Sequence, residues 1–375
     1  MTKLLLLLSV QGDAMARDVL ELCVALRDRY EIRALVPPEQ RRRFADAAIA
    51  ADVWRPGGFI GMGIAVARLR RMVERFAPDV VHAHGFPAIA VALGTFPASL
   101  ASRTIGTFHD PQRDNELPRK LVERNLPGYL RRAARLVATY PSLARALESR
   151  LGLAPESIAV VPHGVAVPLD GGAQLVRPAG RPGPVVGWRG VLSADRAWET
   201  AIDAFGKVRE RFPDARMEIA GGGRARQLVA AYVRQNKLAS VVNFRGDVPA
   251  ADLFANVDLL AVPISRDAQP QAPLEALVAG VPVIAANVGA LADAVGALET
   301  GWLVPDDADG FAEGIAQGWS DIATAWAGAA GQRDAARGRY ARDVVVAAYC
   351  SAYDAVGSGA VHAPAAAGVT AAGVS

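Results

Sequence analysis

Short apolar runs alternate with amphipathic stretches along the first 165 residues of the chain. The apolar runs have the length of buried strands, and they lie at Leu4–Val10, Glu31–Val36, Asp79–His82, Arg103–Phe108 and Ile158–Val161. Between them, apolar residues recur at helical spacing over Arg17–Tyr30, Ile64–Phe76, Asn125–Ala134 and Ser142–Leu151. Strands that alternate with helices in this way predict a parallel, doubly wound sheet.

This rhythm stops over residues 166–184, where proline and glycine are frequent and the composition is typical of a linker. It restarts at Val185, with strands expected at Val185–Gly187, Met217–Ala220, Val241–Phe244, Leu259–Val262 and Val283–Ala285. The pattern therefore predicts one domain over residues 1–165 and a second over 185–338. A helix is expected over 339–356, for which a return to the first domain is one course, and a disordered tail over 357–375.

Composition narrows the class of protein. Hydrophobic residues make up 51% of the 375 residues and charged residues 21%, which excludes an intrinsically disordered chain. Cys23 and Cys350 are far apart, so neither a disulfide framework nor a zinc site of the usual spacing is expected, and reduced thiols indicate a cytoplasmic protein. The uncharged stretches 85–102 and 276–292 approach the length of a membrane span, but prolines and glycines interrupt both.

Charge is unevenly distributed along the chain. Residues 1–165 contain 23 Lys and Arg against 16 Asp and Glu, whereas residues 166–375 contain 18 against 22. The basic half suits an anionic partner such as a phospholipid surface or a pyrophosphate compound, and a solvated Arg-rich surface is the alternative. No nucleic acid is expected as a partner, because aromatic residues are only 6% of the chain and are not interleaved with the basic ones.

Two acidic residues eight positions apart carry the sharpest chemical signal. Asp267 follows a predicted strand, and Glu275 is expected in the first turn of the next helix. Carboxylates in such places can accept hydrogen bonds from the neighbouring hydroxyls of a ribose or a hexose. Ordinary turn and helix-dipole roles for the same two residues are the structural alternative.

The segment that begins at Asp267 resembles the E-x7-E signature of retaining GT-B glycosyltransferases, in particular the large glycosyltransferase family 4, also called group 1. Gly280 and Pro282 belong to the more specific half of this match. Further segments resemble family signatures in the family's order, at residues 79–85, 107–110, 161–165, 220–228 and 242–249. The resemblance covers roughly residues 1–350 and implies an α/β protein with two Rossmann-like, doubly wound parallel-sheet domains that face a cleft.

The resemblance also implies roles for individual residues, with the first domain on the acceptor side and the second binding a nucleotide-sugar donor. The expected donor-binding residues are Gly12, Arg189, Arg196, Gly222, Gly246, Asp247, Asp267, Leu274 and Glu275. The residues implied as catalytic are His109, Asp267 and Glu275, and those on the acceptor side are Asp13 and His84. No metal and no cofactor is implied, because arginines would offset the charge of the leaving diphosphate.

The implied function is a metal-independent, retaining transfer of a sugar to an acceptor hydroxyl in the synthesis of a cell-surface polysaccharide or glycolipid. Two departures from the family pattern leave alternatives open. The first acid is Asp267 rather than Glu, and Pro270 lacks an N–H where the family often has glycine. A catalytically silent nucleotide-sugar-binding subunit and a nucleotide-sugar epimerase of the same fold are the alternative hypotheses.

Basic clusters of the first domain accompany apolar residues. Arg41–Arg43 form one such cluster, Arg68–Arg71 adjoin the apolar run Phe59–Ile64, and further basic residues adjoin the leucines at 117, 121, 126 and 130. Apolar side chains beside arginines suit peripheral binding to the anionic inner face of the cell membrane, with a glycan or lipid-linked acceptor. A solvated basic face with a soluble acceptor is the alternative hypothesis.

Overall fold

The computed structural model describes residues 1–9, 13–56, 59–109, 126–166, 175, 177, 180–193, 197–263, 271–298 and 301–358. The chain divides into two compact units. Unit 1 contains Met1–Pro162 and Val345–Ser375, and unit 2 contains His163–Val344. The first division lies close to the boundary expected at residue 165, and the second lies within the last helix.

Seven parallel strands form the sheet of unit 1. Their bounds are β1 Thr2–Leu8, β2 Tyr30–Val36, β3 Ala50–Val53, β4 Val80–His84, β5 Thr104–Phe108, β6 Arg135–Ala138 and β7 Ile158–Val160. Their order across the sheet is β3-β2-β1-β4-β5-β6-β7. The five leucines of β1, Leu4–Leu8, are all buried, as expected of a central strand that is covered on both faces.

Helices pack on this sheet and create two apolar cores in unit 1. Their bounds are Asp13–Leu26, Arg41–Asp46, Phe59–Phe76, Phe86–Thr95, Ala98–Ala101, Pro141–Leu151 and Arg342–Gly357. One core contains Leu5 and Leu7, and the other contains Leu4 and Leu6. This division follows from the alternation of side chains along a strand, which sends neighbouring leucines of β1 to opposite faces.

The final helix, Arg342–Gly357, carries the chain back into unit 1. Its residues Tyr349 and Tyr353 are buried in the core that lies on one face of β1. Near its end, Asp354 accepts a hydrogen bond of 3.0 Å from the hydroxyl of Tyr30, the first residue of β2. The helix therefore contributes both apolar and polar contacts to a sheet whose strands lie far away in sequence.

A buried histidine fixes this helix to the sheet. His82 in β4 places Nδ1 at 2.7 Å from the Tyr353 hydroxyl and Nε2 at 2.7 Å from Thr107 Oγ1. Burial, with a smaller contribution from His109, lowers the pKa of His82 to about 3, and burial raises the pKa of Tyr353. The imidazole is therefore neutral at pH 7, with one ring nitrogen donating a hydrogen bond and the other accepting one.

Six parallel strands form the sheet of unit 2, in the order β10-β9-β8-β11-β12-β13. Their bounds are β8 Val185–Arg189, β9 Arg216–Ala220, β10 Val242–Gly246, β11 Leu259–Val262, β12 Val283–Ala286 and β13 Gly301–Val304. The helices of this unit span Ala197–Arg211, Arg226–Gln235, Ala250–Phe254, Gln271–Ala279, Gly289–Gly296, Ala308–Ser320 and Ile322–Tyr340. One apolar core packs against this sheet, and the prediction of two doubly wound parallel sheets is confirmed.

The helix expected over 339–356 begins only at Arg342. Ala341 is extended and forms a parallel bridge with Val165, in which Val165 N donates to Tyr340 O at 2.8 Å and Arg342 N donates to Val165 O at 2.9 Å. This bridge interrupts the helical hydrogen bonds, so the helix Ile322–Tyr340 ends before it and the last helix begins after it. The apolar spacing of the sequence does not show such an interruption.

Two leucines that the sequence placed beside basic residues on an apolar surface are core residues instead. Leu126 and Leu130 are 2% and 1% exposed and belong to one core of unit 1, so that part of the expectation is wrong. Leu117 and Leu121 lie outside the described residues. Within the described ranges, none of the helices combines the length and the apolar character needed to span a lipid bilayer.

A fully buried carboxylate ties residues before β8 into unit 2. Asp258 Oδ1 accepts a hydrogen bond of 2.9 Å from Arg177 Nε, and Oδ2 accepts from Arg181 Nη1 at 3.1 Å and from Val185 N at 2.8 Å. The Asp258 backbone carbonyl also accepts from Trp326 Nε1 at 2.8 Å. Two positions of the expected linker, 177 and 181, are therefore bound to unit 2 by charge-assisted hydrogen bonds.

Replacing Asp258 by alanine is expected to lower the free energy of unfolding of unit 2 by about 3–5 kcal/mol, because two arginines would lose their buried counterion. The matched control is Asp334→Ala, whose carboxylate is 83% exposed, and it should change that free energy by less than about 0.5 kcal/mol. Urea unfolding followed by tryptophan fluorescence measures both variants, since only Trp54 of the six tryptophans lies outside unit 2. Equal effects of the two substitutions would contradict the assignment.

The low pKa of His82 is expected to make unit 1 less stable in acid. In the unfolded chain a histidine titrates near pH 6.5, so between about pH 3 and pH 6.5 the unfolded state binds a proton that the folded state excludes. Stability is complete above this window and falls as the pH is lowered through it, by about 2 kcal/mol near pH 5. Urea unfolding near pH 7 and pH 5 should show this loss in the native protein and a smaller loss in His82→Gln, which does not titrate there.

Candidate active site

The carboxyl ends of the strands of unit 2 lie along one edge of its sheet, because all of its strands are parallel. Several expected donor-binding residues that the structure describes follow or end these strands, namely Arg189, Gly222, Gly246 and Asp247, and the helix after β11 carries Leu274 and Glu275. Ligands of open parallel sheets bind at this edge. The structure therefore brings residues that are up to 86 positions apart in sequence to one edge of unit 2.

Arg189 joins three segments at this edge. It is the last residue of β8, its Nε donates a hydrogen bond of 2.8 Å to Glu275 Oε2, and its Nη1 donates to the Val248 carbonyl at 2.9 Å. Both side chains of the ion pair are 20% exposed, so water screens the pair only in part. The arginine thus holds the end of β8, the helix after β11 and the loop after β10 at fixed positions.

Glu275 lies deeper in its helix than the sequence suggested. The helix begins at Gln271, so Glu275 is its fifth residue and not a first-turn residue, and the ion pair with Arg189 determines where its carboxylate lies. Its neighbour Leu274 is 1% exposed and packs into the core of unit 2. A role for Leu274 in donor binding is therefore restricted to its backbone, and the side chain is structural.

The glycine-rich turn after β9 packs backbone against backbone on the loop after β8. A Cβ on Gly221 would lie 1.9 Å from the Gly190 carbonyl oxygen, and one on Gly223 would lie 2.2 Å from the Leu192 carbonyl oxygen. Both glycines have positive φ angles, of 130° and 148°. Among the described residues other than its chain neighbours, no heavy atom lies within 4 Å of a Cβ built on Gly222, so this middle glycine leaves space there while its neighbours permit the close approach.

The loop after β10 is fixed in a similar way. Gly246 has a φ of 74°, and its carbonyl accepts a hydrogen bond of 2.7 Å from Gly221 N. Asp247, the next residue, is exposed. The strand-end loops of β8, β9 and β10 are therefore joined by backbone hydrogen bonds, with the Asp247 side chain left at the surface.

In unit 1, β4 turns into the helix Phe86–Thr95 through Gly85 alone, whose φ of 85° favours glycine. Ser9 fixes this turn, because its hydroxyl donates a hydrogen bond to the His84 carbonyl at 3.2 Å and accepts one from Ala88 N at 3.0 Å. The end of β1, the end of β4 and the first turn of the helix are thus held together, with His84 at their junction.

His84 and His109 form a buried pair at the ends of β4 and β5. His84 Nδ1 lies 3.1 Å from His109 Nε2, and the two residues are 2% and 6% exposed. At this distance one ring nitrogen donates a hydrogen bond and the other accepts it. The resemblance gave the two residues separate roles, whereas the structure joins them, so a change of protonation at one ring affects the other.

The structure does not describe every residue that the resemblance places in the site. Gly12, Arg196 and Asp267 lie outside the described residues, as does Pro270. Asp13 is the first residue of the helix Asp13–Leu26. Their roles remain the predictions that the resemblance implies.

Three contributors to these edges were not predicted as site residues, although Gly221, Gly223 and Val248 lie in the segments 220–228 and 242–249 that resemble family signatures. The Val248 carbonyl holds Arg189, Ser9 holds the turn at His84, and Gly221 and Gly223 hold the loop after β8. The run of three glycines was a visible signal, since a side chain at either outer position has no room. A backbone carbonyl and a lone serine leave no signal of this kind, because their partners lie far away in sequence.

The described residues contain no group of three or more His, Cys, Asp or Glu side chains that could hold a metal ion. The Asp-x-Asp sequence that begins at Asp307 has other partners. Asp307 accepts a hydrogen bond of 2.7 Å from Gly310 N and caps the helix Ala308–Ser320, and Asp309 pairs with Lys207. These two carboxylates therefore stabilise a helix and an ion pair.

Comparison with known proteins places this geometry in a family. A chain from Streptomyces fradiae, 2-deoxystreptamine N-acetyl-D-glucosaminyltransferase, is 28% identical over 268 residues, which are 64% of this chain and 62% of that protein. The 2-deoxystreptamine glucosyltransferase of Streptomyces kanamyceticus is 31% identical over 179 residues, which are 44% of this chain and 46% of that protein. The alignments thus span less than two thirds of either relative.

Solved structures show the same fold. The Anabaena protein HepE in complex with UDP is 18% identical, with a TM-score of 0.74, and the match covers 94% of this chain and 100% of that chain. Its complex with UDP-glucose is 19% identical, with a TM-score of 0.67 and the same coverage. At these identities the likeness establishes the GT-B fold expected from the sequence and nothing further.

Sequence models of two families match successive parts of the chain. The model of Glycosyltransferase Family 4 matches residues 15–167, and the model of Glycosyl transferases group 1 matches residues 183–321. These segments contain the histidine pair of unit 1 and the Arg189–Glu275 edge of unit 2. The chain belongs to the group 1, family 4-like glycosyltransferases.

Proposed function

We propose that this protein is a retaining glycosyltransferase that moves a sugar from a nucleotide-sugar donor to an acceptor hydroxyl. The observation that carries the proposal is the Arg189–Glu275 pair at the carboxyl edge of the second sheet. It places a cation beside a carboxylate. The cation can bind a diphosphate, and the carboxylate can accept hydrogen bonds from the hydroxyls of a ribose. Family membership and the UDP and UDP-glucose complexes of HepE support the same donor class.

In the proposed complex, Glu275 accepts hydrogen bonds from the two ribose hydroxyls. A carboxylate has about four lone pairs, and Arg189 uses one of them, so both hydroxyls can be accommodated. Arg189 has five N–H donors, of which two bond Glu275 and Val248, and the others are available to the diphosphate. Gly222, with open space at its Cα, permits a close approach of the donor to the backbone.

The transfer step needs charge stabilisation more than proton transfer by side chains. The bond between the sugar and the diphosphate oxygen breaks, the acceptor oxygen bonds to the same sugar carbon on the same face, and a leaving diphosphate oxygen takes the acceptor proton. Arg189 and Arg196 stabilise the charge that develops on the diphosphate. Asp267 and His109 orient the donor sugar, and His84, which is hydrogen-bonded to His109, serves the acceptor side.

We propose a glycan or lipid-linked acceptor for the synthesis of a cell-surface polysaccharide or glycolipid, with the enzyme at the inner face of the cell membrane. The excess of basic residues in the first 165 positions supports binding of this half to an anionic membrane surface. The two relatives from Streptomyces are named for 2-deoxystreptamine, a small aminocyclitol. An acceptor panel should therefore include a glycan, a lipid-linked glycan and an aminocyclitol, each assayed with UDP-glucose.

Substitution at Glu275 tests the donor site. Glu275→Gln is expected to weaken the binding of both UDP and uridine by about 1.5–3 kcal/mol, because charge-assisted hydrogen bonds to the ribose are lost. Arg189→Gln should weaken UDP more than uridine, because both ligands lose the ion pair that positions Glu275 but only UDP also loses a phosphate contact. Isothermal titration calorimetry measures all four affinities, and Glu313→Gln, at a carboxylate that is 76% exposed, is the matched control.

The pattern across the two ligands decides between interpretations. Unchanged UDP affinity in both variants would remove the proposed donor site. Normal UDP binding by the native protein, with no sugar transfer to any acceptor of the panel, would favour the silent nucleotide-sugar-binding subunit instead. Conversion of the donor sugar into its epimer without an acceptor would favour the epimerase.

Activity is expected to be independent of divalent cations. Arginines at the phosphate positions supply the positive charge that a metal would otherwise provide, and the Asp307–Asp309 carboxylates already cap a helix and bind Lys207. Sugar transfer should therefore continue at an unchanged rate after dialysis against EDTA. Loss of activity in EDTA and its recovery with Mn²⁺ would contradict this expectation.

A further inference from the structure

A pocket of about 600 Å³ lies on unit 1, between the edge strand β3, its neighbour β2 and the helix Phe59–Phe76. Its lining contains five arginines, one acidic residue, Asp52, and four apolar residues. The arginines are Arg33, Arg41, Arg68, Arg71 and Arg75. From this lining we infer a second ligand site, which binds the phosphate group of a ligand other than the sugar donor.

The helix supplies most of the positive charge in a regular pattern. Arg68, Arg71 and Arg75 are spaced at i, i+3 and i+7, so they form one stripe along the side of the helix that faces the pocket. Arg33 of β2 and Arg41 of the helix Arg41–Asp46 contribute from the opposite side. Arginines from three elements therefore line the same pocket.

Five arginines outnumber the one acidic residue, Asp52, in the lining of the pocket. In the described part of the chain none of them forms an ion pair, and their recorded hydrogen bonds go to backbone carbonyls, from Arg68 to Val53 and from Arg71 to Ala67. Like charges around one pocket repel one another, and an anion bound there relieves the repulsion. Arginine binds phosphate oxygens in pairs through its planar fork, which makes phosphate the anion that this lining suits.

The apolar part of the lining adds a second requirement. It consists of Leu35, Val53, Met72 and Phe76. A phosphate attached to an apolar or weakly polar group satisfies both parts of the lining, as in the headgroup region of a phospholipid or in a phosphorylated small molecule. Both sources share the phosphate group, which is the chemistry that the arginines recognise.

The pocket is separate from the strand-end site of the proposed function. None of its lining residues belongs to that site, and Phe76 lies at the far end of its helix with its ring 5.7 Å from Lys3 Nζ, near the start of β1. The pocket lies on the β2–β3 side of the sheet, whereas His84 and His109 lie at the ends of β4 and β5. The inference does not rest on the proposed glycosyltransferase activity.

Two substitutions on the same helix test the site. Arg71→Glu places a carboxylate between Arg68 and Arg75 and should weaken phosphate binding about tenfold or more. Arg70→Glu changes the net charge equally, but Arg70 does not line the pocket, so it should leave binding within about twofold. The probes are inorganic pyrophosphate, by isothermal titration calorimetry, and vesicles of phosphatidylglycerol against phosphatidylcholine, by co-sedimentation, all at low salt.

Each result supports or overturns the site. Pyrophosphate binding that is lost in Arg71→Glu and kept in Arg70→Glu supports a soluble phosphorylated ligand, and vesicle binding with the same dependence supports a lipid headgroup. Pyrophosphate that binds only at the donor site would be lost in Arg189→Gln and kept in Arg71→Glu, which would overturn the second site. Equal loss in Arg71→Glu and Arg70→Glu, or no binding of either probe, would also overturn it, and thermal unfolding of each variant confirms that it is folded.

Discussion

A parallel sheet that is buried on both faces leaves few places for polar side chains other than its two edges, where strands meet loops. Both sheets of this protein are of this kind, and the carboxyl edge of each collects the residues that carry chemistry. In unit 2 the close contact of Gly221 and Gly223 with the loop after β8 fixes that edge, because no side chain fits there. The position of Arg189 at the end of β8, and through it of Glu275, depends on this backbone packing.

The elements of the fold could be predicted from the sequence because they depend on local spacing. The leucine run of β1 has a direct structural counterpart, and so has the alternation of strands and helices that resumes at Val185. The interruption at Ala341 and the burial of Leu126 and Leu130 could not be predicted, because both depend on residues far away in sequence. Apolar spacing shows that a face is apolar but not whether a core or water covers it.

The same limit applies to the candidate site. The family resemblance identified Arg189 and Glu275 separately, since each stands at a recognisable place, but their ion pair is a contact across 86 positions. His84 and His109 were likewise identified one by one, and their hydrogen bond follows from the neighbouring positions of β4 and β5. Arg41, Arg68 and Arg71 were visible in the sequence as parts of basic clusters, but the pocket that they share with Arg33 and Arg75 was not, because its arginines come from two helices and a strand.

Arginine serves three different physical purposes in this chain, in which only four of the 41 basic residues are lysine. Arg177 and Arg181 neutralise the buried Asp258, and Arg189 orients the partly exposed carboxylate of Glu275. Five other arginines line the pocket of unit 1 and give it positive charge. The planar guanidinium permits all three, because it stays charged when partly buried and bonds in fixed directions.

The return of the chain into unit 1 has a consequence for synthesis on the ribosome. Unit 2 is an insertion between two parts of unit 1, so its whole sequence emerges before residues 345–357 do. Until then one face of the first sheet lacks Tyr349 and Tyr353, and His82 and Thr107 lack their hydroxyl partners. The second unit can therefore finish folding first, while the nascent first unit presents an incomplete apolar surface that chaperones recognise.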